Sequence, residues 1–141
     1  MHDLAIRTED LTKSFGEIRA LAGLDLEVAR GEIFGLVGPD GAGKTTTMRL
    51  LSGLLRPDAG RAEVAGLDVV ERTEDVRRLL GYLPQTFAML HELTVAENIE
   101  YFADLYCIPR GQLAQRSDEL LSATGLTEFT GRRADALSGG M

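Results

Sequence analysis

The chain has 141 residues, of which 44% are apolar and 26% charged, as is usual for a soluble globular domain with its own core. Its formal net charge of −7 argues against nucleic-acid binding, which needs a basic face, so no nucleic-acid partner is expected. The sequence shows neither a secretory signal nor an apolar run of about 20 residues, and the cytosol is the expected compartment. The single cysteine, Cys107, excludes an internal disulfide and lies in an apolar helical pattern that predicts a buried thiol.

The first half of the chain predicts strands on either side of one helix. Residues 4–9 and 17–28 alternate apolar and polar side chains, which indicates half-buried antiparallel strands. The continuous apolar run 33–37, bounded by glycines, predicts a strand buried on both faces, as in a parallel sheet. A helix is expected from Lys44 to Leu54. The remaining elements expected there are strand structure over 61–70, a helix over 71–79 and a short buried strand over 81–84.

The second half predicts helices. Thr94 and Glu97 have the spacing of a capping box, which opens a helix. Its expected apolar face consists of Val95, Ile99, Phe102 and Tyr106. Pro109 is placed to start a second helix that runs to about residue 124, with Gly125 at its carboxyl end.

The strongest chemical signal is a glycine-rich loop that matches the pattern G-x-x-x-x-G-K-[ST]. Glycines let the backbone N–H groups turn inward around an anion, and the following helix N-terminus adds a partial positive charge. Within the loop, Lys44 is expected to contact the β- and γ-phosphates, Thr45 to ligate Mg²⁺, and Thr46 to lie near the α-phosphate. This pattern predicts a nucleoside triphosphate site made of Gly38, Pro39, Asp40, Gly41, Ala42, Gly43, Lys44, Thr45 and Thr46.

Three further segments narrow the class of nucleotide-binding protein. The first is Leu11-Thr12-Lys13-Ser14-Phe15-Gly16, the second is Gly81-Tyr82-Leu83-Pro84-Gln85, and the third is Leu137-Ser138-Gly139-Gly140. Taken alone, Phe15 is better explained as a core residue and Gln85 as a surface residue, and Ser-Gly-Gly is a weak loop signal. Together and in this order, they make the chain resemble the ABC ATPases, the nucleotide-binding subunits of ABC transporters.

The resemblance covers residues 4–141 and implies a role for each segment. Phe15 takes the position of the aromatic ring that stacks on adenine. Gln85 takes that of the Q-loop glutamine, which contacts Mg²⁺ and the attacking water and which we treat as the catalytic residue of this chain. Ser138, Gly139 and Gly140 begin the signature motif, which binds the γ-phosphate held by a second subunit. The segment 87–109, with its Leu-Thr-Val-Ala-Glu-Asn core, is most similar to the drug- and polysaccharide-export branch.

The fold implied is α/β. A P-loop core sheet with an N-terminal antiparallel β-subdomain is expected over 1–85, and an inserted, truncated α-helical subdomain over 86–141. The implied function is binding and hydrolysis of ATP with Mg²⁺ to drive transport across a membrane. The implied partners are a transmembrane subunit, expected to dock on the helical block after Gln85, and a second ATPase subunit arranged head to tail. The protein would then lie on the cytoplasmic face of the membrane.

Two departures from the family pattern lead to further expectations. Asp40 stands where the family most often has asparagine. The Walker B aspartate, catalytic glutamate and switch histidine follow the signature motif in the family and have no counterpart before Met141. We therefore expect a fragment of a longer subunit that is inactive on its own. The alternatives are a GTPase or small-molecule kinase, a soluble ABC-type ATPase acting on ribosomes or DNA, and a regulatory subunit that binds ATP without hydrolysing it.

Overall fold

The computed structural model describes residues 3–85 and 89–138, which form two compact units divided between Leu83 and Pro84. Each unit is described by itself below. Within these two ranges, no helix combines the length and the apolar character needed to cross a bilayer.

The first unit contains a four-stranded antiparallel sheet. Its strands are β1 (Leu4–Phe15), β2 (Ile18–Ala29), β3 (Ala59–Val64) and β4 (Leu67–Asp68), in the spatial order β2-β1-β3-β4. β1 and β2 form a hairpin that closes where Phe15 pairs with Ile18. The two predicted N-terminal strands are confirmed: β1 continues beyond its predicted end at residue 9, and β2 has the predicted length but is displaced by one residue from 17–28.

Two helices cover this sheet, α1 (Lys44–Leu51) and α2 (Thr73–Leu79). Helix α1 ends before the predicted Leu54 because Gly53 adopts a left-handed conformation, with φ +67°. The Gly53 N–H then bonds the Leu50 carbonyl at 3.0 Å, which closes the last turn. The core between helices and sheet consists of Leu11, Leu21, Leu50, Leu51, Ala62, Val64, Val69 and Val76.

The two predicted buried strands are the main correction. Residues 33–37 form no strand, and Ile33 and Val37 are almost fully exposed. Residues 81–84 are also irregular, with Leu83 exposed. An apolar segment becomes a buried strand only when neighbouring backbones pair with it. No strand of residues 3–85 or 89–138 pairs with either segment, so the predicted P-loop core sheet is not formed there, whereas the predicted antiparallel β-subdomain is.

The second unit is helical, with α3 (Val95–Leu105) and α4 (Arg110–Thr124) followed by short 3₁₀ turns at Thr127–Phe129 and Ala134–Ala136. The predicted capping box is confirmed: the Glu97 N–H donates to Thr94 Oγ1 at 3.2 Å, and the Thr94 N–H donates to Glu97 Oε2 at 2.8 Å. Gly125 ends α4 in the left-handed conformation, as predicted.

A single buried side chain fixes the segment that leads into α3. Asn98 is 0% exposed, and its Oδ1 accepts the Leu90 N–H at 2.8 Å. Its Nδ2 lies 3.0–3.2 Å from the carbonyl oxygens of Leu90, Leu93 and Thr94. Asn98 therefore adds side-chain hydrogen bonds to this segment of irregular backbone.

The same segment pairs with the chain that follows α4. The N–H groups of Val95 and Ala96 donate to the carbonyls of Arg132 and Thr130 at 2.9 and 3.0 Å. In return, the Ala134 N–H donates to the Leu93 carbonyl at 2.8 Å. Residues 91–96 and 130–135, which we call the loop ladder, are thus held together through their backbones.

The predictions for the end of α3 were wrong at two positions. Cys107 is exposed, not buried, and lies in the turn after the helix with φ +54°. The Ile108 N–H bonds the Ala103 carbonyl at 2.8 Å, and the Cys107 N–H bonds the Asp104 carbonyl at 3.1 Å. This is the bonding of a Schellman cap, with cysteine where glycine is usual. Tyr106, expected on the buried face, is exposed because the helix has already ended.

Candidate functional site

The predicted phosphate loop is a surface turn that leads into α1. Gly41 and Gly43 have φ values of +82° and +84°, a conformation that L side chains rarely adopt. The Ala42 N–H bonds the Pro39 carbonyl at 3.3 Å and closes the turn. Gly43 is the N-cap of α1, so the free N–H groups of the first helical turn point towards the loop.

Gly43 also joins the loop to the sheet. A Cβ atom built on it would lie 2.5 Å from the Ala20 carbonyl oxygen and 2.8 Å from Leu21 Cδ2. Such distances are shorter than van der Waals contact. The start of α1 therefore packs directly on β2, at a place where no side chain fits.

Lys44 is the first residue of α1, and its side chain curls over the loop. Its Nζ donates to the carbonyl oxygens of Gly38 and Pro39, both at 2.7 Å. Thr45 is exposed in the same first turn, and Thr46 is half-buried. Asp40 is exposed at the outer side of the loop. One ammonium group, a helix N-terminus and a hydroxyl thus lie together at the surface.

Phe15 ends β1 and is 47% exposed, outside the hydrophobic core. The alternative in which Phe15 fills the core is therefore wrong. The ammonium of Lys13 lies over its ring, 5.8 Å from the centroid.

Phe15 lies at the tip of the hairpin whose second strand carries the phosphate loop's packing contacts. Lys13 pairs with Leu21 across the hairpin, and Leu21 is one of the residues that Gly43 contacts. Phe15 follows Lys13 by two residues, or about 7 Å along a strand. The loop therefore packs on β2 within two or three residues of Ile18, the cross-strand partner of Phe15.

Sequence reasoning missed the residue that fastens this end of β1. Asp58 lies in the turn before β3, and its carboxylate accepts hydrogen bonds from Lys13 Nζ at 2.7 Å and the Ser14 N–H at 2.6 Å. The bond from Lys13, followed by that from Ser14, holds the pKa of Asp58 below its ordinary value. The turn signal Pro57-Asp58-Ala59-Gly60 located this residue, but its partners lie about 45 residues away in sequence.

The other predicted site residues lie in the second unit. Gln85 and Ser138 are both exposed. Gly139 and Gly140 lie outside the described residues. Within residues 3–85 and 89–138, no group of three or more His, Cys, Asp or Glu side chains is arranged to hold a metal ion.

The candidate site is an open loop and not an enclosed cavity. A cavity of about 300 Å³ lies instead between α3 and α4, and none of the predicted site residues lines it. Its walls include Ile99, Leu113 and Leu121, with Glu100 and Arg110 also lining it. Anion binding by backbone N–H groups at a helix N-terminus does not require such a cavity.

Comparison with known proteins gives a consistent result. Residues 21–141 match the family model described as "ABC transporter". The chain is 46% identical over 143 residues to the probable multidrug ABC transporter ATP-binding protein YbhF of Escherichia coli, with 100% of this chain and 25% of that protein covered. It is 45% identical over 141 residues to the daunorubicin resistance ATP-binding protein DrrA3 of Streptomyces coeruleorubidus, with 100% and 45% covered.

The fold has a similar match among solved structures. A structure described as an ATP-binding subunit of an ABC transporter superposes with a TM-score of 0.80 at 28% identity. The match covers 95% of this chain and 56% of that one. The chain therefore spans between a quarter and about half of the length of these proteins. Because the family model, the curated relatives and the solved structure all agree, the chain belongs to the ABC transporter family and corresponds to part of an ATP-binding subunit.

Proposed function

We propose that the chain binds MgATP through the phosphate loop and the hairpin tip, and that the whole protein hydrolyses ATP to drive transport. The observation that carries the proposal is the contact of Gly43 with β2. Gly43 packs against Ala20 and Leu21, close to Ile18, which is the cross-strand partner of the exposed Phe15.

The phosphate half of the proposal depends on Lys44. Its ammonium now bonds two loop carbonyls, and the β- and γ-phosphate oxygens of ATP would replace these acceptors. The first-turn N–H groups of α1 and the left-handed glycines would complete the anion site. The exposed Thr45 hydroxyl would hold Mg²⁺, which takes few ligands from protein and would neutralise phosphate charge. The resemblance to the ABC ATPases gives Gln85 a role towards the same metal.

The base half depends on Phe15. The exposed part of its ring offers a flat surface on which adenine would stack. Base-on-ring stacking is worth about 1–3 kcal/mol. Phe15→Ala should therefore weaken binding of ATP and leave that of inorganic triphosphate unchanged.

The central test is the change Lys44→Ala in the whole protein, with ATP binding measured by calorimetry. Loss of a charge-assisted contact of about 1.5–3 kcal/mol should weaken binding at least about tenfold. The matched control is Arg49→Ala, which removes an exposed cation from the other end of α1 and should leave binding unchanged. Equal affinities in Lys44→Ala and the parent protein would refute the phosphate site. Competition by GTP as effective as that by ATP would favour the GTPase alternative.

Transport requires more than this chain. We infer that a transmembrane subunit docks on the helical unit after Gln85, and that Ser138, Gly139 and Gly140 face the phosphate loop of a second ATPase subunit. The protein would then lie on the cytoplasmic face of the membrane. The drug-related names of YbhF and DrrA3 support an export role.

Hydrolysis by the isolated chain is not expected. It offers Lys44, Thr45 and Gln85 to the phosphates, the metal and the water, whereas hydrolysis also needs a carboxylate placed as base. Ile33 and Val37 are also exposed in an extended segment that invites association with other chains. We expect the 141-residue chain to show background ATPase activity and to aggregate, and addition of the remaining part of the subunit to restore turnover. Steady turnover by the purified chain, lost in Lys44→Ala, would contradict this.

A further inference from the structure

The end of β1 is fastened to the turn before β3 by a set of hydrogen bonds centred on Asp58. Pairing of β1 with β3 reaches only as far as Thr12 and Ala59. Beyond that point, the Asp58 N–H donates to the Thr12 carbonyl at 3.0 Å, and the Asp58 carboxylate accepts from Lys13 and from the Ser14 N–H. Three successive residues before Phe15 are thus held by one turn.

The carboxylate of Asp58 uses its two oxygens separately. Oδ1 accepts from Lys13 Nζ at 2.7 Å, and Oδ2 accepts from the Ser14 N–H at 2.6 Å. An exposed ion pair by itself contributes little to stability. A carboxylate that also accepts from a backbone N–H fixes the orientation of both the lysine side chain and the backbone. The bonds from Lys13 and Ser14 favour the ionised carboxylate, which is why the pKa of Asp58 lies below its ordinary value.

Lys13 is oriented by this contact so that its ammonium lies over the Phe15 ring. Its side chain is only 16% exposed, and the Nζ atom is 5.8 Å from the ring centroid. A cation over a ring is attracted to the electron-rich face. One face of Phe15 is therefore covered by Lys13, while the ring as a whole remains 47% exposed.

From this geometry we propose that Asp58 is a positioning residue for the nucleotide base. It holds Lys13 against one face of Phe15, sets the direction of the ring, and leaves the other face for adenine. The inference rests on the proposed stacking of adenine on Phe15 and adds the group that fixes the ring. Asp58 acts through Lys13 and Phe15 and does not itself contact the nucleotide.

The experiment compares Asp58→Ala with Asp68→Ala in the whole protein. Asp68 is a matched control because its carboxylate, like that of Asp58, accepts from one basic side chain, Arg61 at 3.2 Å, and from backbone N–H groups. It lies in β4, at the edge of the sheet that is farthest from β2. Dissociation constants are measured by calorimetry for MgATP and for magnesium triphosphate, which has no base. Asp58→Asn, whose side-chain oxygen can still accept the Ser14 N–H, is the second variant if Asp58→Ala fails to fold.

We expect Asp58→Ala to weaken ATP binding about fivefold, to leave triphosphate binding unchanged, and to add no further loss in a Phe15→Ala background. Asp68→Ala should leave the dissociation constants of both ligands unchanged. Equal losses for ATP and triphosphate, or no loss of ATP affinity, would overturn the role of Asp58. If Phe15→Ala itself shows no loss specific to ATP, the stacking proposal fails and this inference fails with it. A loss specific to ATP in Phe15→Ala but not in Asp58→Ala would refute the inference alone.

Discussion

Gly43 allows a sharp test of the contact that joins the phosphate loop to the sheet. Gly43→Ala places a Cβ 2.5 Å from the Ala20 carbonyl oxygen, in a residue whose φ is +84°. The left-handed conformation costs an alanine about 1–2 kcal/mol. Overpacking against a fixed neighbour adds about 1–3 kcal/mol. The expected loss in the free energy of unfolding is therefore about 2–5 kcal/mol.

Gly41 is the matched control, because its φ of +82° is almost the same and nothing lies within 4 Å of the position that an added Cβ would take. Gly41→Ala should lose only the conformational part, about 1–2 kcal/mol. Urea unfolding of both variants in the absence of nucleotide gives the comparison. With a slope of about 2 kcal/mol per molar urea, the additional loss of about 1–3 kcal/mol in Gly43→Ala corresponds to a midpoint lower by about 0.5–1.5 M. Equal midpoints in the two variants would show that Gly43 does not pack on β2 as described.

Three further predictions concern the helical unit. Asn98→Ala removes a fully buried side chain and the acceptor of the Leu90 N–H, and should cost about 1–3 kcal/mol in urea unfolding; a loss below about 0.5 kcal/mol would contradict the structural role of Asn98. Cys107→Gly removes the steric cost of a left-handed non-glycine residue and should stabilise the protein by about 1 kcal/mol. An unchanged or lower stability would contradict the left-handed turn at this position. Hydrogen bonds from the Thr94 N–H and hydroxyl lower the pKa of Glu97 below its ordinary 4.5. The stability that the ionised Glu97 carboxylate contributes is therefore fully present above pH 4.5 and is lost as the pH falls through the lowered pKa. Glu97→Gln should therefore lose less stability between about pH 5 and pH 2.5 than the parent protein, and equal losses would refute this.

Features decided within a few residues were predictable from the sequence. The capping box at Thr94, the left-handed Gly125 and the hairpin strands all follow from local spacing and turn chemistry. The phosphate loop was identified because its pattern is contiguous. Its residue types follow directly from the chemistry of anion binding.

Features that need distant partners were not predictable in the same way. The run 33–37 has the composition of a buried strand, but burial depends on neighbouring strands that its own residues do not encode. Asp58 and Lys13 meet only because β1 and the turn before β3 are adjacent in the sheet. Cys107 fits an apolar periodicity, yet the helix ends at Leu105, two residues before it, so that periodicity does not apply.

The loop ladder has a consequence for how this region can vary in length. Its two segments, residues 91–96 and 130–135, are joined through backbone atoms, so the stretch between them leaves and returns at the same place. The entropy cost of closing such an excursion rises only slowly with the number of residues. Extra residues placed after Gly125 should therefore be accommodated without moving either segment. The position after Gly125 is accordingly suitable for an inserted reporter peptide. Related proteins can also differ in length there at little cost to stability.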